Sequence, residues 1–182
     1  MNWANRLTVM RMLIIPVFLV FLYLNDQTSM LVAAGLFLLA SLTDILDGYI
    51  ARREKKVTVF GKVFDPIADK LLVLAALIVL VEQKQLPSWI VIIIIGREIL
   101  ISGFRIVAAD KGEIISASWL GKTKTVLQDV AVILYLLHGL PAFQWLDVLW
   151  LPQIAIGAAL VFTMWSTIDY FVVNKKAFSA EG

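Results

Sequence analysis

Runs of roughly 20 mostly apolar residues, the length an α-helix needs to cross a bilayer, recur along the chain. They predict helices near 6–24, 30–52, 61–82, 86–109, 118–139 and 147–173. Turn-forming residues fill the breaks: Asn25-Asp26, the polar stretch 82–85 ahead of Pro87, and Gly139-Leu140-Pro141. Pro152 interrupts the last helix near its start, a missing hydrogen bond that a membrane helix tolerates. The apolar runs are continuous rather than alternating, unlike the strands of an outer-membrane barrel. All-α architecture follows, with residues 1–182 forming one membrane domain.

Composition sharpens this picture. Hydrophobic residues make up 60% of the 182 and charged residues 16%, where a soluble domain is nearer a quarter charged. The mean hydropathy is +0.87. The chain has no cysteine, which removes disulfides and thiolate metal sites. At the start, Arg6 and Arg11 precede an apolar run, but polar 25–29 follows with no small-x-small cleavage site. That segment is expected to be the first membrane helix rather than a cleaved signal.

Charge placement sets the expected orientation. Arg6, Arg11, Arg52, Arg53, Lys55, Lys56, Lys62, Lys70, Lys111, Lys122, Lys124, Lys175 and Lys176 fall at one end of a six-helix zigzag, and Lys84 at the other. The positive-inside rule then puts both termini and the 53–60 and 110–117 loops in the cytoplasm. Trp3, Trp89, Trp145 and Trp150 sit near helix ends, as interfacial anchors do. The expected fold is a polytopic six-transmembrane-helix bundle with a cytoplasm-facing polar cavity.

Acidic residues in such a chain are informative. Asp44 and Asp47 close the second apolar helix, and Asp65 and Asp69 open the third. Asp44, Asp47, Gly48, Ala51 and Arg52 share one helix face, as do Gly61, Asp65 and Asp69. Carboxylates bordering spans are costly unless they face a polar cavity. Four converging in a low dielectric need compensation, and hard oxygen ligands without Cys or nearby His favour Mg²⁺ or Mn²⁺ over zinc. Two such cations suit phosphoryl chemistry. Gly48 and Ala51 leave the face free of bulk, and Arg52 offers a fork for phosphate. The plainer alternative is solvated helix-end charges paired with Arg52, Arg53, Lys62 and Lys70. A cation transporter would instead spread its acids through the membrane depth.

The string Asp44-x2-Asp47-Gly48-x2-Ala51-Arg52-x8-Gly61-x3-Asp65-x3-Asp69 resembles the signature of the CDP-alcohol phosphotransferase family at every fixed position. The resemblance implies that Asp44, Asp47, Asp65 and Asp69 hold two divalent cations. It implies that Gly48, Ala51, Arg52 and Gly61 border the cytidine diphosphate group, and that Asp69 is also the general base. An acceptor hydroxyl would attack the lipid-linked phosphorus of CDP-diacylglycerol, with CMP leaving.

The signature is silent on the acceptor, so other patches must speak. Asn5, Thr8 and Arg11 resemble the opening of the glycerol 3-phosphate branch, although an N-cap plus a topology arginine explains them equally. Gly96-Arg97-Glu98 followed by Arg105, and Gly121-Lys122-Thr123-Lys124-Thr125-x2-Gln128, resemble the same branch. Glu98, Ser102 and Arg105 share a face, and so do Gly121, Lys124, Thr125 and Gln128. Arginines in so apolar a helix need an anion or a carboxylate. Arg97 needs a partner besides Glu98, because adjacent residues point apart on a helix. Lys122 alone reads as a snorkelling topology charge. Arg11, Arg105, Lys122 and Lys124 are the candidates for an acceptor phosphate.

The expectation is therefore an enzyme of phospholipid biosynthesis in the bacterial cytoplasmic membrane, multi-pass, with its active site on the cytoplasmic side. It would pass a phosphatidyl group from CDP-diacylglycerol to glycerol 3-phosphate. Inositol phosphate or phosphatidylglycerol as acceptor, and cation transport, are the alternatives. Membrane lipids are expected partners and nucleic acid is not. Gly96 and Gly103 would permit a homodimer. His138, Asp129 and Asp169 receive no role from the sequence.

Overall fold

A computed structural model describes residues 3–54, 59–110 and 118–174, with side chains described for 8–43, 67, 68, 70–108 and 118–174. Within these the architecture is all-helical, with no strand. In chain order the helices are α1 (Trp3–Leu24), α2 (Gln27–Glu54), α3 (Val59–Glu82), α4 (Ser88–Asp110), α5 (Trp119–Leu137), the short α6 (Gln144–Val148) and α7 (Leu151–Val173). A 3₁₀ turn, Pro141–Phe143, precedes α6.

Local chemistry fixes the turns. Asn25 takes a left-handed φ of 53° between α1 and α2, a conformation asparagine tolerates well. Asp26 then caps α2: Oδ1 accepts from the Thr28 and Ser29 backbone N–H groups at 3.0 and 3.1 Å, and Oδ2 from Ser29 Oγ at 2.5 Å. These bonds hold the Asp26 carboxyl below its ordinary value, the Ser29 hydroxyl contributing most. Ser118 caps α5 through Gly121 N–H at 3.2 Å.

The last connection differs from the sequence expectation. A helix from 147 is replaced by the separate α6, and α7 starts at Leu151 after Trp150 turns left-handed at φ 54°. Pro152 therefore stands in the first turn of α7, where its missing N–H breaks no helical bond.

Helix directions follow from contacts at the turns. Tyr23 donates to Glu82 at 2.9 Å, and Gln83 Nε2 to the Leu22 carbonyl at 3.1 Å. The C-terminal ends of α1 and α3 thus lie together, so these two helices run parallel. The turn at 25–26 and the Phe18–Phe37 ring contact at 5.9 Å set α2 antiparallel to α1. Consequently α2 and α3 run in opposite directions.

The core is apolar and built around small residues. Ala33, Ala34 and Ala40 of α2, Ala76 of α3, Ala131 of α5 and Ala159 of α7 are buried, letting the helices approach closely. The α5–α7 pairing is the most extensive. Phe104 and Phe171 meet edge-to-face at 5.0 Å and join α4 to α7.

Outward faces are apolar too. Leu13, Ile92, Ile99, Ile106, Val126 and Ile168 are all well exposed. Soluble helices place polar residues there, and exposed apolar surface of this kind marks a protein or membrane interaction face. Among the described residues α7 is long and apolar enough to cross a membrane, and the stretches Thr8–Leu24 and Gln27–Thr43 are shorter apolar helices.

Candidate active site

The signature residues lie on α2 and α3 at matched heights. Asp44 and Asp47 precede the end of α2 at Glu54, and Asp65 and Asp69 follow the start of α3 at Val59. At 1.5 Å rise per residue, Asp44 and Asp69 both lie about 15 Å from the 55–58 connection, and Asp47 and Asp65 both about 10 Å. On antiparallel helices these positions fall at two shared heights. The side chains of Asp44, Asp47, Asp65 and Asp69, with those of Gly48, Ala51, Arg52 and Gly61, lie outside the described residues. Asn5, Lys175 and Lys176 do too. Among the described residues no three potential metal ligands come together.

The donor chemistry fits hard divalent cations. The signature carries four aspartates, the chain has no thiol, and its one imidazole is engaged elsewhere. His138 Nδ1 lies 2.5 Å from Asp147 Oδ1 and ties the end of α5 to α6. That pair sits about 20 Å along α5 from Lys124, at 1.5 Å rise per residue.

At Lys70 of α3 begins a polar cluster whose side chains are described. Lys70, the residue after Asp69, donates to Ser102 Oγ and lies 3.7 Å from Glu98 Oε2. Lys124 of α5 donates to Glu98 Oε1. Arg97 Nη1 reaches the same oxygen at 3.1 Å, and its Nη2 donates to Ser166 Oγ of α7 at 3.0 Å. One carboxylate thereby links α3, α4 and α5, and Arg97 adds α7. Lys124 is 2% exposed, far more enclosed than a snorkelling lysine at an aqueous mouth.

A small pocket opens on this cluster. Its polar wall is Lys70, Glu98, Lys124, Thr125 and Gln128, and Val73, Leu74 and Ile94 line the rest. The shared face of Lys124, Thr125 and Gln128 thus meets a pocket also bordered by Glu98. Gln128 is 4% exposed and its Nε2 has no hydrogen-bond partner, which leaves a buried donor uncompensated. Arg105 Nε and the Tyr170 hydroxyl are likewise buried without one.

The remaining candidates are placed as follows. Thr8 and Arg11 of α1 are buried, Arg105 is half-buried, and Lys122 is exposed. Gly96 and Gly103 open outward: a Cβ at either would meet nothing within 4 Å. Asp129 and Asp169 are half-buried. Arg97 departs from the expectation for adjacent residues, since its long guanidinium arm curls back to Glu98, and it also finds its further partner in Ser166.

Two participants were missed in the sequence. Lys70 was read as a topology charge or a partner for the acids, yet it joins Glu98 and Ser102. Ser166 was overlooked, although Thr163, Ser166 and Tyr170 recur at helical spacing in an otherwise apolar helix and are all buried. That buried polar stripe was the available signal.

The profile of the CDP-alcohol phosphatidyltransferase family matches residues 1–165. The chain belongs to that family. A relative from Bacillus subtilis, named CDP-diacylglycerol–glycerol-3-phosphate 3-phosphatidyltransferase, is 42% identical, with 97% of this chain and 96% of that protein aligned. Proteins of the same name from Haemophilus influenzae (39% identical, 93% and 91% covered) and Rickettsia felis (38% identical, 97% of each) are also similar.

Proposed function

We propose that this protein transfers the phosphatidyl group of CDP-diacylglycerol to glycerol 3-phosphate, giving phosphatidylglycerophosphate and CMP. The observation that carries this reading is the complete signature borne by two antiparallel helices, with the pocket-lining Lys70 next in sequence to its last residue. End-to-end similarity to relatives named for this reaction supports the choice of acceptor.

In this reading Gly48, Ala51, Arg52 and Gly61 border the cytidine diphosphate group. Asp44, Asp47, Asp65 and Asp69 would hold two Mg²⁺ or Mn²⁺ ions, and these would supply charge neutralisation to the diphosphate chemistry. The acceptor hydroxyl forms a new bond to the lipid-linked phosphorus as the bond to CMP breaks. Its proton passes to Asp69. Arg11, Arg105, Lys122 and Lys124 receive the acceptor phosphate. The unpartnered Nε of Arg105 supports that assignment for one of the four.

The apolar exterior supports a six-span bundle in the bacterial cytoplasmic membrane, both termini and the polar cavity on the cytoplasmic side, where a soluble phosphorylated acceptor is available. The diacylglycerol tails then remain in lipid. The open outer face at Gly96 and Gly103 leaves room for a second copy.

The test is CMP release by the purified protein with CDP-diacylglycerol, Mg²⁺ or Mn²⁺, and each candidate acceptor in turn. Release with glycerol 3-phosphate, abolished by a chelator, is expected. Release only with inositol phosphate or phosphatidylglycerol would overturn the acceptor. Cation flux in vesicles without CMP release would overturn the enzyme.

A further inference from the structure

Glu98 belongs to no part of the signature, yet it pairs with three cations on three helices. Its side chain is 13% exposed and meets Lys70 of α3, its neighbour Arg97 on α4, and Lys124 of α5. Both lysines border the same pocket as Glu98 itself. Gln128 borders it too, its buried amide donor lacking a partner, so the wall is ready for an oxygen-rich ligand.

We propose that Glu98 is a positioning residue that holds Lys70 and Lys124 at this pocket for the acceptor's phosphate. The proposal deepens the function given above and rests on it. Like charges brought to one point repel, and a lysine as enclosed as Lys124 keeps its proton only with an anion close by. Glu98 supplies that anion from α4, which otherwise offers the pocket only Ile94. It also ties α3 to α5, because one carboxylate is ion-paired with a lysine from each. A phosphate entering beside it then meets ammonium groups already in place, and little binding energy goes into ordering them. A packing residue would act on everything at once. A positioning residue for the acceptor acts on the acceptor alone.

Steady-state CMP release therefore separates the two, with each substrate varied in turn for the wild type, Glu98→Gln, Glu98→Asp, Lys124→Gln and the Glu98→Gln/Lys124→Gln pair. Glu98→Gln is expected to raise the glycerol 3-phosphate KM about tenfold, with the CDP-diacylglycerol KM changed less than about twofold. Such a loss corresponds to about 1.4 kcal/mol of acceptor binding. Glu98→Asp keeps the charge with a shorter reach and falls between. Since Glu98 acts partly through Lys124, the losses in the double variant should fall short of the sum of the two single losses. Parallel rises in both KM values, an unchanged acceptor KM, or additive losses in the double variant would overturn the proposal. If Glu98→Gln fails to fold, the Asp variant and the double variant carry the same comparison. A wild type that uses only a different phosphorylated alcohol would sink the choice of acceptor, and the variants would be scored on that alcohol. A wild type inactive with every phosphorylated acceptor would sink both.

Discussion

Removing the Ser166 hydroxyl tests how the polar cluster is anchored to the last helix. Ser166 is fully buried, accepts from Arg97 Nη2 at 3.0 Å and donates to the Thr163 carbonyl at 3.1 Å. In Ser166→Ala the first bond is lost, and Arg97, already carrying an unpartnered buried Nε, has a second N–H group without its acceptor. A hydrogen bond to a charged group contributes about 1.5–3 kcal/mol in water-soluble proteins. Interhelical bonds in membrane bundles average about 0.6 and reach about 1.7 kcal/mol, because the unfolded state in lipid finds substitutes. A buried charged donor belongs at the upper end of that second range, so about 1.5 kcal/mol is expected. At about 2–4 °C per kcal/mol for a chain of this size, the Tm should drop by about 3–6 °C. The six tryptophans make intrinsic fluorescence during heating in detergent a direct readout. Thr167→Ala is the internal control, since that hydroxyl bonds only back along its own helix to Thr163 O at 2.7 Å, and its loss should cost less. A Ser166→Ala variant melting within about 1 °C of wild type would refute the stabilising role of the Arg97–Ser166 bond.

Asp44→Asn should abolish metal-dependent CMP release with the protein still inserted in membranes; full activity would remove Asp44 from the metal site. Asp69→Asn should reduce turnover more than CDP-diacylglycerol binding, measured by kcat against donor KM, and the reverse ordering would argue against a proton-accepting role. Lys124→Ala should raise the acceptor KM more than the donor KM, and the opposite result would move Lys124 to the nucleotide. Asp26 has its pKa lowered by its cap bonds, so its stabilisation is complete above the ordinary value of 3.8 and is lost as pH falls through the lower folded value. The Tm gap between wild type and Asp26→Asn should accordingly persist at pH 7 and close in the acid range below that ordinary value; a gap unchanged down to pH 2 would contradict the capping account.

The helices were readable because apolar runs end at residues with turn chemistry. Asn25, Asp26 and Gly139 each sit where a break was expected, and each has a local reason to be there. The start of α7 was not readable, because it depends on Trp150 adopting a left-handed φ that tryptophan has no intrinsic tendency to take. The site divided along similar lines. The signature marks positions on α2 and α3 from spacing alone, as spacing along one helix is a local property. The pairing of Glu98 with Lys70 and Lys124 is not local. Each residue stands out as polar within an apolar stretch, but only the rotation of three helices decides which cation meets which acid. His138 and Asp147 were hidden for the same reason, since nine residues and two turns separate them.

The adjacency of Asp69 and Lys70 gives the layout its logic. On α3, consecutive side chains diverge by about 100°, so neighbouring residues serve different partners. Lys70 turns toward α4, where it meets Glu98 and Ser102. If Asp69 serves the signature face shared with Gly61 and Asp65, then α3 is the wall between two compartments of opposite charge. Acids and their cations would take the diphosphate on one side, and the lysine-bearing pocket would take the acceptor phosphate on the other. The acceptor's free hydroxyl would then have to reach past α3 toward the lipid-linked phosphorus, with Asp69 standing where its proton is released. Such a wall would keep two anionic substrates apart while their reacting atoms meet.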